Sequence, residues 1–103
     1  MKRISVLILF TLFFATLHAG NSKKIIVYSK KGCGRCNYVK NYLKENKIKH
    51  QVLKIANNEI NTEMWKLLRD EGHKGSVTMP VVKIGNEVYY NIKDLKGFVK
   101  KLE

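Results

Sequence analysis

Two cysteines three positions apart are the residues of this chain best suited to do chemistry. Cys33 and Cys36 lie in the stretch KGCGRCN at residues 31–37, and they are the only cysteines among the 103 residues. Such a pair can form a redox-active disulfide, supply half of a metal site, or be two unrelated buried thiols. The choice depends on the elements that position the two side chains.

Apolar patterning predicts four strands and three helices in the order β-α-β-α-β-β-α. Short apolar runs predict the strands, at residues 25–28, 50–55, 81–84 and 87–90. Helical spacing of apolar residues predicts the helices, from just after the first cysteine to about residue 47, from about 59 to 71 and from about 92 to 102. Asn91 is the expected N-cap of the last helix. Because a strand–helix–strand order implies a parallel pair, the predicted class is α/β with a mixed four-stranded sheet.

The place of the cysteines in this order gives them different expected roles. Cys33 falls in the loop after the first strand, at the start of the first helix, and Cys36 lies one turn inside it on the inward face. The N–H groups and dipole at a helix start stabilise an anion, and Lys30, Lys31 and Arg35 add positive charge nearby. Cys33 is therefore predicted to be the nucleophilic thiolate, and Cys36 the thiol that resolves the mixed disulfide.

Other interpretations of the pair stay open. A zinc site needs four ligands, and after position 19 the chain offers only His50 and His73 besides the cysteines, at spacings that match no zinc-finger pattern. No metal ligand is assigned, but a module that binds a metal ion or an iron–sulfur cluster through the Cys33/Cys36 loop is the main alternative to an enzyme. A peptide-binding module with idle thiols is a further one. A purely structural disulfide is disfavoured, because closing so short a loop gains little chain entropy.

The segment YSKKGCGRC at residues 28–36 and the later Thr78-Met79-Pro80, in this order of elements, resemble the glutaredoxin branch of the thioredoxin fold. The likeness covers residues 23–103. It implies a thioredoxin-like, glutaredoxin-type sandwich and a dithiol thiol–disulfide oxidoreductase that acts on protein or glutathione-mixed disulfides. It implies no cofactor, with glutathione as a candidate co-substrate. The electron donor stays open, and a monomer is expected.

The resemblance also implies site residues at the matching positions. Lys30 is implied to meet a carboxylate of glutathione, and Asp94 is implied to hold its amine. Thr78, Met79 and Pro80 are implied to shape the substrate groove, with a cis bond before Pro80 and with the Met79 backbone pairing with the substrate.

Three departures from the family pattern bear on the substrate. Gly34-Arg35 stands between the cysteines where many glutaredoxins have Pro-Tyr, and Arg35 is expected to favour the thiolate and an anionic substrate group. Cys36 stands where iron–sulfur-carrying relatives have the serine of Cys-Gly-Phe-Ser, which fits a dithiol mechanism. The Gly-Gly pair that often precedes the last helix is replaced within residues 90–94, YNIKD. Reduction or isomerisation of protein disulfides is the expected reaction.

The first residues have the layout of a secretory signal peptide. Lys2 and Arg3 are followed by an apolar run at residues 4–17, and Ala19 offers a small residue for cleavage. The predicted organisation is a signal peptide over residues 1–19 and one domain over residues 20–103, with a periplasmic or secreted location. An uncleaved membrane anchor is the alternative, and membrane contact is expected only through this segment.

The charge balance is strongly basic, with a formal net charge of +12. The lysines are spread over nearly every segment, without an arginine-rich cluster or a recognisable nucleic-acid module. The charge therefore indicates solubility and weak attraction to anionic partners, and no nucleic-acid partner is expected.

Overall fold

Strand β1 (Ile25–Ser29) is a central strand of the sheet and carries the loop with the cysteines at its end. The computed structural model describes residues 23–103. β1 pairs in parallel with β2 (Gln51–Lys54) and antiparallel with β3 (Val81–Ile84), and β3 pairs antiparallel with β4 (Glu87–Tyr89). The spatial order is β2-β1-β3-β4. This arrangement confirms the predicted mixed four-stranded sheet and its order of elements.

Three helices complete the domain: α1 (Gly34–Glu45), α2 (Asn58–Asp70) and the short α3 (Leu95–Val99), which continues into a 3-10 turn at Lys100–Leu102. Side chains cap the free N–H groups at each helix start. At α2, the Asn57 carbonyl oxygen Oδ1 accepts hydrogen bonds from the N–H groups of Glu59 and Ile60. At α1, the capping atom is the sulfur of Cys33.

The start of the last helix differs from the prediction. Asp94, and not Asn91, is its N-cap, with Asp94 Oδ1 accepting from the Gly97 N–H at 3.0 Å. A Cβ at Gly97 would collide with that carboxylate, so glycine suits this position. Asn91 instead has a left-handed backbone with φ 50°, which asparagine tolerates better than most residues. Ile92 therefore lies in a loop before the helix.

The two faces of the sheet bury separate apolar clusters, because successive β1 side chains point to opposite sides. Val27 faces α1 and α3, where it packs among Val39, Leu43 and Phe98. Its neighbour Tyr28 faces α2, in a cluster that includes both cysteines, Met64, Leu68, Met79 and Val81. The cysteine loop therefore closes one end of the second cluster.

Within residues 23–103, no helix combines the length and apolar character needed to cross a bilayer. The predicted signal peptide over residues 1–19 lies outside the described residues. The domain bounds at residue 20 therefore stay a prediction.

Replacing Tyr28 by phenylalanine tests the packing of α2 on the sheet. The fully buried Tyr28 donates a hydrogen bond from its hydroxyl to Glu63 Oε2 at 2.6 Å. Tyr28→Phe should lower the free energy of unfolding by about 1 kcal/mol at neutral pH, measured by urea denaturation. Tyr38→Phe is the control, since Tyr38 is 41% exposed, and it should change little.

The same variant should differ at alkaline pH. Burial and the Glu63 hydrogen bond raise the pKa of Tyr28 above its ordinary 10.0. The unfolded chain then ionises first, so the hydroxyl's contribution is fully present below the unfolded-state pKa and is lost as the pH rises through the folded-state pKa. The difference in the free energy of unfolding between wild type and Tyr28→Phe should therefore become smaller by about pH 11. Equal stabilities at neutral pH would contradict the assigned hydrogen bond.

Candidate active site

The loop that follows β1 brings the two cysteines to the start of α1. Gly32 has φ 72°, a conformation that favours glycine, and the turn there directs the chain from the strand into the helix. Cys33 then has an extended backbone, with φ −101° and ψ 108°, as an N-cap requires. Its Sγ accepts a hydrogen bond from the Cys36 N–H at 3.0 Å. Cys33 and Cys36 are joined in a disulfide, with their Cα atoms 5.2 Å apart.

The two sulfurs are not equivalent in their exposure. Cys33 is 8% exposed, whereas Cys36 is fully buried on the inward face of α1 with Val39 and Leu43. A disulfide of an incoming molecule can therefore approach Cys33 but not Cys36. The arrangement suits an outer thiol that attacks and an inner thiol that reacts only with the outer one.

The segment before β3 lies beside the cysteines because β3 pairs with β1. Tyr28, near the end of β1, is paired with Val81, the first residue of β3, so Met79 and Pro80 border the cysteine loop. The Met79–Pro80 bond is cis, as the resemblance implied. Met79 is buried in the same cluster as Cys33 and Cys36.

Arg35 connects this segment to α1. Its Nε donates to the carbonyl oxygen of Met79 at 3.0 Å, and an Nη2 hydrogen bond reaches the carbonyl of Ile92. These partners lie 44 and 57 residues further along the chain. The half-buried guanidinium therefore joins the helix of the cysteines to two loops.

A second contact joins the same two loops and was not anticipated from the sequence. The side-chain oxygen Oδ1 of Asn91 accepts a hydrogen bond from the backbone N–H of Thr78 at 2.7 Å. Next to it, Tyr90 packs against the cluster that holds the cysteines and makes an edge contact with His73, with ring centroids 4.9 Å apart. The sequence signal for Tyr90 was the absence of the family's two glycines, whereas Asn91 was expected to cap the last helix.

Three further predicted site residues lie at the surface of the protein. Lys30 and Thr78 are exposed in the loops on either side of Cys33. Asp94 is also exposed, and one of its oxygens is taken by the N-cap hydrogen bond. Asp94 lines a cleft of about 400 Å³ with Tyr90 and Phe98, which neither cysteine borders. Glutathione contacts of Lys30 and Asp94 therefore stay predictions.

A larger cleft, of about 800 Å³, lies at the opposite end of the sheet. Its walls come from the start of β1, the approach to β2 and the last residues, including Lys24, His50 and Leu102. Neither cysteine lines it, so size does not mark the reactive site here. Within residues 23–103, no three histidine, cysteine or acidic side chains come close enough together to hold a metal ion.

The sequence matches the family model described as Glutaredoxin over residues 25–89. That span covers the strands, the cysteine loop and the segment with the cis bond. No curated protein sequence matches the chain significantly.

Solved structures share the fold. Glutaredoxin 1 from Francisella tularensis, in complex with cacodylate, is 22% identical with a TM-score of 0.59, covering 79% of this chain and 96% of that one. The glutaredoxin-like NrdH-redoxin from Escherichia coli is 18% identical with a TM-score of 0.57, covering 78% and 95%. The thioredoxin-like protein BC3987 is 24% identical with a TM-score of 0.57, covering 77% and 99%. The predicted thioredoxin-like, glutaredoxin-type architecture is thereby confirmed.

The difference in burial predicts the order in which the reduced thiols react. With Cys33 8% exposed and Cys36 fully buried, iodoacetamide should modify Cys33 at least about tenfold faster. Peptide mapping by mass spectrometry after brief exposure measures the ratio. The urea-unfolded protein is the control, in which the two rates should converge. Equal rates in the folded protein would contradict the assignment of an outer and an inner thiol.

Proposed function

The chain belongs to the glutaredoxin family and is a thiol–disulfide oxidoreductase, and we propose that it is an exported dithiol enzyme that acts on protein or glutathione-mixed disulfides. In this proposal Cys33 is the nucleophile and Cys36 the resolving thiol. The observation that carries the assignment is the hydrogen bond from the Cys36 N–H to Cys33 Sγ at the start of α1.

That hydrogen bond supports the nucleophilic role of Cys33. In the reduced protein, the same N–H and the positive end of α1 favour a negative charge on the capping sulfur. The thiolate is the form that attacks disulfides. Cys36 contributes its own N–H to this stabilisation while its sulfur stays out of contact with solvent.

The reaction proceeds in two exchanges. The Cys33 thiolate attacks one sulfur of the substrate disulfide, the substrate S–S bond breaks, and the first substrate thiolate leaves and takes up a proton. Cys36 then loses its proton and attacks Cys33 Sγ, which releases the second substrate thiol and forms the Cys33–Cys36 disulfide. The substrate gains two electrons and the enzyme loses two. An external thiol restores the dithiol by the reverse exchange.

The groove residues favour a peptide-like substrate. Met79 N–H makes no hydrogen bond to any of residues 23–103, and Met79 packs in the same cluster as Cys33, so a substrate carbonyl could accept from this N–H. Thr78 is exposed next to it. Tyr90 and Asn91 occupy the stretch in which relatives that bind glutathione often have two glycines. We therefore favour protein disulfides, with glutathione as a second substrate that Lys30 and Asp94 would hold by its carboxylate and amine.

One structural neighbour bears on the choice of substrate. The NrdH-redoxin from Escherichia coli, which shares the fold, is described as a glutaredoxin-like protein with a thioredoxin-like activity profile. A glutaredoxin-type fold is thus compatible with a thioredoxin-like activity.

Export is proposed from the first residues alone. The positive start at Lys2 and Arg3, the apolar run at residues 4–17 and Ala19 match a secretory signal peptide. In a bacterium such a signal would direct the enzyme to the periplasm or out of the cell, where disulfides persist.

Replacing each cysteine separately tests the two roles. Cys33→Ser should abolish disulfide exchange, because the outer nucleophile is gone. Cys36→Ser should still attack and then accumulate the mixed disulfide, since no inner thiol resolves it. Intact-protein mass spectrometry after mixing with a peptide disulfide measures both. Full activity of Cys33→Ser would refute the assignment.

Expression of the full chain in a bacterium tests the location. The proposal expects a periplasmic product that begins at residue 20, identified by its intact mass after osmotic shock. Replacing the apolar Leu7 and Leu9 by arginine should retain the full-length product in the cytoplasm. A membrane-bound product with residues 1–19 intact would instead support the anchor.

A further inference from the structure

We propose that Arg35 is a positioning residue that fixes the backbone of Met79 for pairing with the substrate. This inference rests on the proposed function and gives Arg35 a role other than the anion-binding one predicted from the sequence. It also gives the protein a specificity device that its relatives with Pro-Tyr between the cysteines would not share.

The geometry of the guanidinium is the first support. Nε donates to the Met79 carbonyl at 3.0 Å and Nη2 to the Ile92 carbonyl. Both acceptors are uncharged backbone groups, and each belongs to a loop that lies next to the cysteine loop. A planar fork of donors can serve two such acceptors at once, which a lysine ammonium does less well.

The Asn91–Thr78 contact is the second support. It links the same two loops independently of Arg35, through a side-chain acceptor and the Thr78 N–H at 2.7 Å. The left-handed backbone of Asn91, with φ 50°, turns the loop after β4 at this position. Hydrogen bonds therefore connect three parts of the protein, namely helix α1, the segment of Met79, and the loop of Asn91 and Ile92.

The consequence for Met79 is a fixed backbone. Arg35 holds the Met79 carbonyl on one side and Asn91 holds the Thr78 N–H on the other, and the peptide group between these two contacts carries the Met79 N–H. The Met79 N–H, which no group within residues 23–103 accepts, thereby keeps one direction relative to Cys33. A substrate disulfide flanked by amide groups would pair with it at little further cost in ordering. A disulfide without amide groups could not form this pairing and would react no faster because of it.

The test compares two uncharged disulfides in single turnovers with the reduced full-length protein. The disulfide of N-acetylcysteine amide carries an amide on each side of the cysteine, and hydroxyethyl disulfide carries none. Mass spectrometry of quenched samples counts the Cys33–Cys36 disulfide formed. Because neither substrate is charged, binding of an anion by Arg35 cannot contribute.

Arg35→Lys keeps the positive charge and removes the fork. The rate constant at low substrate concentration should fall about tenfold for the amide disulfide and at most about twofold for hydroxyethyl disulfide. The pH profile of Cys33 alkylation should keep its midpoint, because the charge is retained. Arg69→Lys, at an exposed arginine near the end of α2, is the matched control and should leave both rates as in the wild type.

Equal losses with both disulfides, or a shifted alkylation profile, would mean that Arg35 acts on the thiol and would overturn the proposal. Unchanged rates would overturn it as well. A wild-type protein that oxidises with neither disulfide would instead refute the proposed function itself. Asn91→Gly, which keeps the left-handed backbone and removes the second brace, should lower only the amide-disulfide rate. If Arg35→Lys does not fold, the rates of Asn91→Gly with the two disulfides test the proposal instead.

Discussion

The hydrogen bond from the Cys36 N–H to the Cys33 sulfur fixes both the first residue of α1 and the outward position of one thiol. A capping residue must have an extended backbone, and its side chain must point back over the first turn of the helix. Cys33 meets both conditions, so its sulfur lies over the free N–H groups of the helix. The residue three positions on then falls on the inward face, where Cys36 is buried. Reactivity of the outer thiol and protection of the inner one thus have one geometric origin.

The sheet supplies the second half of the site through the pairing of β1 with β3. β1 has partners on both sides, so the end that leads into the cysteine loop is held in place from two directions. The antiparallel partner begins at Val81, directly after the cis Met79–Pro80 bond. The backbone that would pair with a substrate is therefore brought to the cysteines by strand pairing, although it lies more than forty residues away along the chain.

The loop between β4 and α3 is where this chain departs from the glycine pair of the family pattern. Two glycines would place no side chain here, whereas Tyr90 packs against the cluster that holds the cysteines and contacts His73. Asn91 and Ile92 accept hydrogen bonds from Thr78 and Arg35, respectively. Side chains and carbonyls of this loop are thereby used inside the protein. In the proposed function, a substrate would find its polar partners chiefly at the Met79 backbone and at the exposed Lys30 and Thr78.

Local patterns in the sequence were enough to predict the order of elements and the places of Cys33 and Cys36. An apolar run such as Ile25–Tyr28 needs only neighbouring residues to favour a buried strand, and the cysteine spacing is set by one helical turn. The resemblance to glutaredoxins added the cis bond before Pro80, which a lone proline would not indicate.

The tertiary structure alone decided the partners of Arg35 and the roles of Asn91 and Asp94. Asparagine and aspartate are both favoured N-caps, so composition could not choose between positions 91 and 94. The choice followed from the Thr78 N–H, which the fold places within reach of Asn91. Arg35 likewise found acceptors 44 and 57 residues away. Hydrogen bonds between loops depend on how the packed elements bring those loops together, and that information is absent from any short stretch of sequence.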